Sequence, residues 1–149
     1  MKIYIAGPLF TLAEREFNKG LGKAIEELVK DVDIILPQIE TAKMVGLPDF
    51  PDKAFQFCLH SVDECDAVVG ILDGSDADSG TCIELGYAYA HNKPIIGIRT
   101  DFRQSEDKGL NLMVSNICSK LVLMMDFESN VQDLAKEITK SLSKIESLS

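Results

Sequence analysis

The chain has no C-x-x-C pair, no cluster of histidine and cysteine, no apolar run of membrane-spanning length and no surplus of positive charge. Each absence narrows the field. The four cysteines, Cys58, Cys65, Cys82 and Cys118, are widely spaced, and Cys65 and Cys82 lie in apolar contexts that suit core thiols better than ligands. Zinc-site and redox-motif spacings are therefore missing. The formal net charge of -9 argues against a DNA or RNA backbone as partner. A single small nucleoside or nucleotide, held by local donors, is still compatible with it. The first residues read as a strand and its turn rather than a signal peptide, and no segment suits a membrane, so the expected setting is cytoplasmic and reducing. There is no internal repeat, linker or low-complexity stretch.

What is present is 149 residues with 46% hydrophobic and 26% charged content, enough for one domain with its own core. Five apolar stretches read as strands: Lys2 to Gly7, Val32 to Leu36, Ala67 to Leu72, Pro94 to Arg99 and Lys120 to Met125. Helical periodicity separates them. From Thr11 to Lys30 the face is Phe17, Leu21, Ala24, Ile25 and Leu28; from Asp52 to Asp66 it is Phe55, Leu59 and Val62. Further helices are expected over Ser79 to His91, Leu110 to Ile117 and Val131 to Leu148. Gln38 to Pro51 reads as an irregular excursion with one helical turn, and Thr100 to Gly109 as a polar loop. Strands that are apolar throughout, alternating with helices, indicate a parallel sheet covered on both faces. The expected class is α/β, a single-domain five-stranded parallel sheet of flavodoxin-like (Rossmann-like) topology, order 2-1-3-4-5, with its cleft near the carboxyl ends of strands one and three.

The chemistry concentrates after the third strand, in D-G-S-D-A-D-S-G-T-C-I-E-L-G-Y-A from Asp73 to Ala88. Two readings of Glu84 stand side by side. Thr81-x-x-Glu84 fits a capping box, with the threonine as cap and the glutamate bonding back. Alternatively Glu84, in the first helical turn, is kept ionised by the helix dipole and faces Asp78, six residues earlier, across a ligand. Such a carboxylate pair suits retaining glycosyl transfer, one attacking carbon 1 and the other moving a proton. Gly80 would let the backbone approach a sugar ring. Asp73 and Asp76 fit tight turns. His60 and His91 read as surface or helix-end residues, and Tyr87 and Tyr89 point to different faces of their helix. Arg99, Arg103 and Lys108 read as a solvated loop or, alternatively, a phosphate grip, though no glycine-rich cradle accompanies them.

Four segments in order carry a resemblance: Ile3-Tyr4-Ile5-Ala6-Gly7-Pro8-Leu9-Phe10, Glu64-Cys65-Asp66-Ala67-Val68-Val69, Asp78-Ser79-Gly80-Thr81-x-x-Glu84-x-Gly86-x-Ala88, and Asn111-Leu112-Met113. Over positions 2 to 113 the chain resembles the nucleoside 2-deoxyribosyltransferases. The resemblance implies an enzyme of nucleotide salvage that acts on a 2'-deoxyribonucleoside and a free nucleobase, without metal or organic cofactor. It implies Glu84 as nucleophile, Asp78 as the carboxylate that serves the base, and Tyr4 as the hydroxyl that orients Glu84. Gly7, Gly80, Asn111 and Met113 would contact substrate, with Asn111 reaching the sugar hydroxyl or a neighbouring subunit's site in a homo-oligomer. Two departures stand out. Cys58 occupies the place, eight positions before Asp66, where many members carry Asp or Asn, and Asp63 replaces it only if the helix register differs. The loop at Asp73-Gly74-Ser75 is short and lacks a Phe-Arg-Gly element, which would leave the cleft more open. Two other activities share these residues: hydrolysis of a 2'-deoxynucleoside 5'-phosphate, and non-catalytic nucleoside sensing. A phosphoacceptor receiver would need a lysine at the end of the fifth strand, where none stands.

Overall fold

The computed structural model describes residues 1–103 and 110–146. Most of the expected polar loop, including Lys108, and the last residues of the closing helix lie outside the described residues. Five strands, β1 (Lys2–Ala6), β2 (Asp33–Ile35), β3 (Ala67–Ile71), β4 (Ile95–Arg99) and β5 (Lys120–Leu123), pair in parallel in the order β2-β1-β3-β4-β5. The connecting helices are α1 (Leu12–Leu28), α2 (Pro37–Ala42), α3 (Phe50–Glu64), α4 (Ser79–Ala90), α5 (Leu112–Ile117) and α6 (Val131–Glu146). The expected topology is the one observed. No described helix is long and apolar enough to cross a membrane.

Each strand divides its side chains between two helical layers, because successive residues point to opposite faces. On β1, Ile3 and Ile5 enter the core under α1 and α6, whereas Tyr4 and Ala6 enter the core under α3, α4 and α5. Both sides of β3 and β4 are buried, which explains their unbroken apolar sequences. The order changes direction between β1 and β3, so the loops leaving these two strands diverge and open a crevice at their carboxyl ends.

The segment after β2 differs from expectation. Pro37 ends the strand and also opens α2, since a missing amide proton costs nothing in the first helical turn. A buried amide pair holds that start in place. Asn18 on α1 donates through Nδ2 to the Gln38 side chain at 2.9 Å and to Pro8 O at 3.0 Å, while Gln38 Nε2 donates to Arg15 O at 2.8 Å. The β1–α1 turn, α1 and α2 are thereby tied together. The α3 face also differs: Val62 is wholly buried, but Phe55 is 53% exposed and looks into the crevice.

Helix α4 lies against β3 through Leu85. A methyl group added at Gly70 would stand 2.8 Å from both Leu85 δ carbons, inside contact distance. Gly70 is thus what allows α4 to sit this close to the sheet. Gly70→Ala should overpack this contact and destabilise the protein by about 1–3 kcal/mol. Urea denaturation of parent and variant measures it, and a cost within error of zero would mean that α4 shifts freely.

Candidate active site

Helix α4 begins at Ser79, and its cap is Asp78 rather than Thr81. Asp78 Oδ2 accepts from Thr81 N at 2.9 Å and from Thr81 Oγ1 at 3.2 Å. The expected capping box over Thr81 and Glu84 is not formed, because Asp78 starts the helix three residues earlier. The same pattern does form a capping box at the start of α1. There Glu14 N donates to Thr11 Oγ1 at 3.2 Å, and the Glu14 carboxylate accepts from Thr11 N at 2.7 Å. At α4 the glutamate is released from that duty and lies in the second turn.

Freed from the cap, Glu84 turns to the sheet. Its Oε1 accepts from the wholly buried Tyr4 Oη at 2.8 Å, a bond spanning β1 and α4. Gly7 and Gly80 border the same crevice, a cavity of about 310 Å³. A side chain at Gly7 would collide with Ile71, so there the backbone itself forms the wall. Leu9, Phe50, Phe55, Leu59 and Ile83 make the rest of the lining largely apolar, with Cys58 and Thr41 among its few polar groups. The volume is at the lower end of the range for small-molecule sites.

Burial raises the Glu84 pKa above the usual glutamate value, and the nearby Asp78 charge pushes it the same way. The hydrogen bond from Tyr4 and the neighbouring Cys58 thiol oppose the shift without cancelling it. The dipole effect expected from a first-turn position is therefore outweighed by desolvation one turn further in. Burial, and then the charge of Glu84, also raise Tyr4 far above the usual tyrosine value, so its proton stays in place. Burial pushes the Cys58 thiol up to about 11.

The other expected site residues lie elsewhere. Asn111 caps α5, its Oδ1 accepting from Met113 N at 2.9 Å and Val114 N at 3.4 Å. Asn111 and Met113 border a second, open depression of about 520 Å³, and Ile83 of α4 borders both cavities. Within one chain they do not line the crevice that holds Glu84. Asp63 does not take the place of Cys58: it accepts from Tyr87 Oη at 3.0 Å and lies 3.1 Å from His91 Nδ1.

For Arg99 the structure shows neither a solvated loop nor a phosphate grip. Arg99 is 1% exposed and donates to backbone carbonyls, Nη1 to Leu72 O at 2.6 Å and Nη2 to Gly74 O and Arg103 O at 3.1 Å each, while its buried Nε has no partner among the described residues. Arg103 pairs with Asp101, holding that carboxyl well below the usual aspartate range. Asp73 accepts from Thr100 N, Thr100 Oγ1 and Asp101 N, binding the end of β3 to the end of β4. Among the described residues no group of histidine, cysteine, aspartate and glutamate could hold a metal ion.

The sequence pattern put Phe55 and Leu59 on a core face and did not mark them as pocket walls. Their spacing suits either role, and only the width of the crevice between α2 and α4 separates the two. A glutamate with a raised folded-state pKa binds its proton more tightly folded than unfolded. Stability therefore falls as pH climbs from the ordinary glutamate range through the raised value, and the full cost is present above it. Glu84→Gln keeps an acceptor for Tyr4 and removes the charge. It should melt at a higher temperature than the parent near neutral pH, with the gap closing below about pH 4. Scanning calorimetry across that range checks it; a lower melting temperature at neutral pH would contradict this account of the carboxylate.

This arrangement has known counterparts. A family model described as nucleoside 2-deoxyribosyltransferase matches residues 3–113. The uncharacterized protein UU063 of Ureaplasma parvum is 30% identical, over 97% of this chain and 98% of its own. A 2-deoxyribosyltransferase from Bacillus psychrosaccharolyticus superposes with a TM-score of 0.72 at 21% identity, covering 91% of this chain and 90% of that one. The CMP N-glycosidase BcmB of Clostridium botulinum superposes with a TM-score of 0.62 at 17% identity, covering 93% of this chain and 99% of that one. At such identities the two structures speak for the fold alone, and both a transferase and a hydrolase share it. The family match covers most of the chain, including the segments that carry Tyr4, Asp78 and Glu84, and on it the chain belongs to the nucleoside 2-deoxyribosyltransferase family.

Proposed function

We propose that the protein transfers a 2-deoxyribosyl group between the nucleobases of 2'-deoxyribonucleosides through a covalent ester on Glu84. The observation that carries this reading is a half-buried glutamate, held by Tyr4 at 2.8 Å, that opens on a largely apolar cavity, with the Asp78 charge near enough to act on it. In the first half-reaction a Glu84 oxygen attacks C1' as the N-glycosidic bond breaks. The bonding pair leaves with the base nitrogen, and Asp78 serves the proton that the base requires. In the second, a nitrogen of the incoming base attacks C1', the ester bond breaks and Glu84 regains its pair. Two inversions restore the starting configuration. Partial desolvation supports the role of Glu84, since a carboxylate with few water contacts is a stronger nucleophile than a hydrated one. A planar base fits between apolar walls such as Phe55 and Leu59.

The charge of the cavity favours nucleosides over their 5'-phosphates. No lysine or arginine is among its described lining residues, Glu84 lines it, and the charge of Asp78 acts on Glu84. The amino end of α4, where a phosphate would find backbone donors, is already filled by the Asp78 carboxylate. Hydrolysis of a monophosphate is thus the less favoured activity. In a homo-oligomer, Asn111 and Met113 would serve a neighbouring chain's site.

Incubation of the protein with thymidine or deoxyinosine and free adenine should yield deoxyadenosine, read by chromatography, and the matching 5'-monophosphates should react poorly. Free base from the monophosphates alone would replace transfer by hydrolysis. Glu84→Ala should lower transfer by several orders of magnitude with the fold retained. Tyr4→Phe removes one hydrogen bond to a charged group and should lower transfer about 10–100-fold. Asp78→Asn should slow transfer most for bases that leave only when protonated. Activity retained in Glu84→Ala would refute the mechanism.

A further inference from the structure

Helix α3 turns most of its apolar side chains away from the core. Only Ser61 and Val62, in its last turn, are buried. Phe50, Ala54 and Cys58 recur at every fourth position, and Phe55 and Leu59 form a parallel row beside them. The five make one stripe along the helix, and the stripe lines the crevice that also receives Glu84. Hydrogen-bonding side chains are scarce there. No asparagine, glutamine, histidine, lysine or arginine is among the described lining residues. Thr41 Oγ1 gives its proton to Pro37 O at 2.8 Å, and a thiol such as Cys58 is only a weak donor. A polar group pressed against α3 would therefore lose its water partners and gain little in return.

Glu84 comes from α4, and in-line attack at C1' places the departing base on the far side of that carbon. The base then meets the wall that α4 does not supply, which is the α3 stripe. A pyrimidine has two unlike edges. O2, N3 and the 4-substituent form a polar one, whereas C5 projects from an edge without hydrogen-bonding groups. Only the second edge suits the stripe. We propose that the α3 stripe is a subsite for the C5 substituent of a pyrimidine, so that thymine and other 5-alkyluracils are preferred to uracil. The inference rests on the reading of Glu84 as nucleophile, which fixes the side on which the base lies. Ala54 is the smallest member of the stripe, and between Phe50 and Cys58 it leaves a notch of the size a methyl group needs.

The test is equilibrium binding to the full-length Glu84→Gln protein, which keeps the pocket and cannot form the ester. Calorimetric titrations use 2'-deoxyuridine, thymidine and 5-ethyl-2'-deoxyuridine. Thymidine should bind about 4–10-fold more tightly than 2'-deoxyuridine, the worth of one methyl group in an apolar pocket. Its heat-capacity change should also be the more negative. The 5-ethyl compound should bind at least as tightly as thymidine. Ala54→Leu in the same background fills the notch and should abolish the preference. Leu59→Asn places a polar group in the wall, should narrow the ratio likewise, and carries the comparison if Ala54→Leu does not fold. Equal affinities for thymidine and 2'-deoxyuridine would overturn the proposal. So would a preference untouched in both folded variants, or no binding of any of the three. The subsite and the transfer reading fail separately. A thymidine preference in a parent protein that transfers nothing would sink transfer and leave the subsite standing. Active transfer with no distinction in binding would sink the subsite alone.

Discussion

The hydrogen bond from Tyr4 to Glu84 is the constraint around which the site is arranged. It joins the centre of β1 to the second turn of α4, positions eighty residues apart in the chain. For it to form, α4 must approach the sheet closely, which Gly70 permits under Leu85. The helix must also begin early enough to carry Glu84 past its first turn, which Asp78 secures by capping. Tyr4 in turn must stay buried and protonated, and the apolar layer beneath α3, α4 and α5 imposes both. Sheet, cap and core thus converge on the orientation of one carboxylate.

That carboxylate is held at a cost, since desolvation and the Asp78 charge both oppose its ionised form. The directed donor that offsets this, Tyr4, comes from β1 and not from the helix that bears Glu84. The division is physically reasonable. A helix positions its own side chains but has no free donors to offer them beyond its first turn, so a group that needs donors in the second turn must find them on neighbouring elements. The arrangement is complementary to a reaction in which negative charge leaves Glu84, because attack at carbon removes the charge that burial disfavours.

Topology was legible from the strands. Ala67 to Ile71 and Ile95 to Arg99 are apolar at almost every position, and only a sheet covered on both faces requires that. The α2 helix was less legible, because Pro37 is read equally well as the end of β2 or the start of a helix, and the deciding contact is a distant one with Asn18. Within the site, the identities of Glu84, Asp78 and Tyr4 came from motif order, but their geometry did not. Thr11-x-x-Glu14 and Thr81-x-x-Glu84 are the same local pattern with opposite outcomes. What separates them is which residue wins the cap, and Asp78 lies outside the four-residue window in which the motif is defined. Arg99 was illegible for a similar reason. A cation at the end of a strand reads as solvated or as holding a ligand, and nothing in the sequence tells that three carbonyls will surround it.

That buried guanidinium has a mechanical consequence. By gripping the carbonyls of Leu72, Gly74 and Arg103 at once, and with Asp73 clasping Thr100 and Asp101, it splices the turns after β3 and β4 into a single stiff rim. The approach to Asp78 and α4 follows that rim, whereas on the opposite side α2 passes into α3 through mostly exposed turns from residue 43 to 49. The crevice thus has one rim tied across two strands and, facing it, a wall with Phe50 and Phe55 that follows a largely exposed stretch of chain.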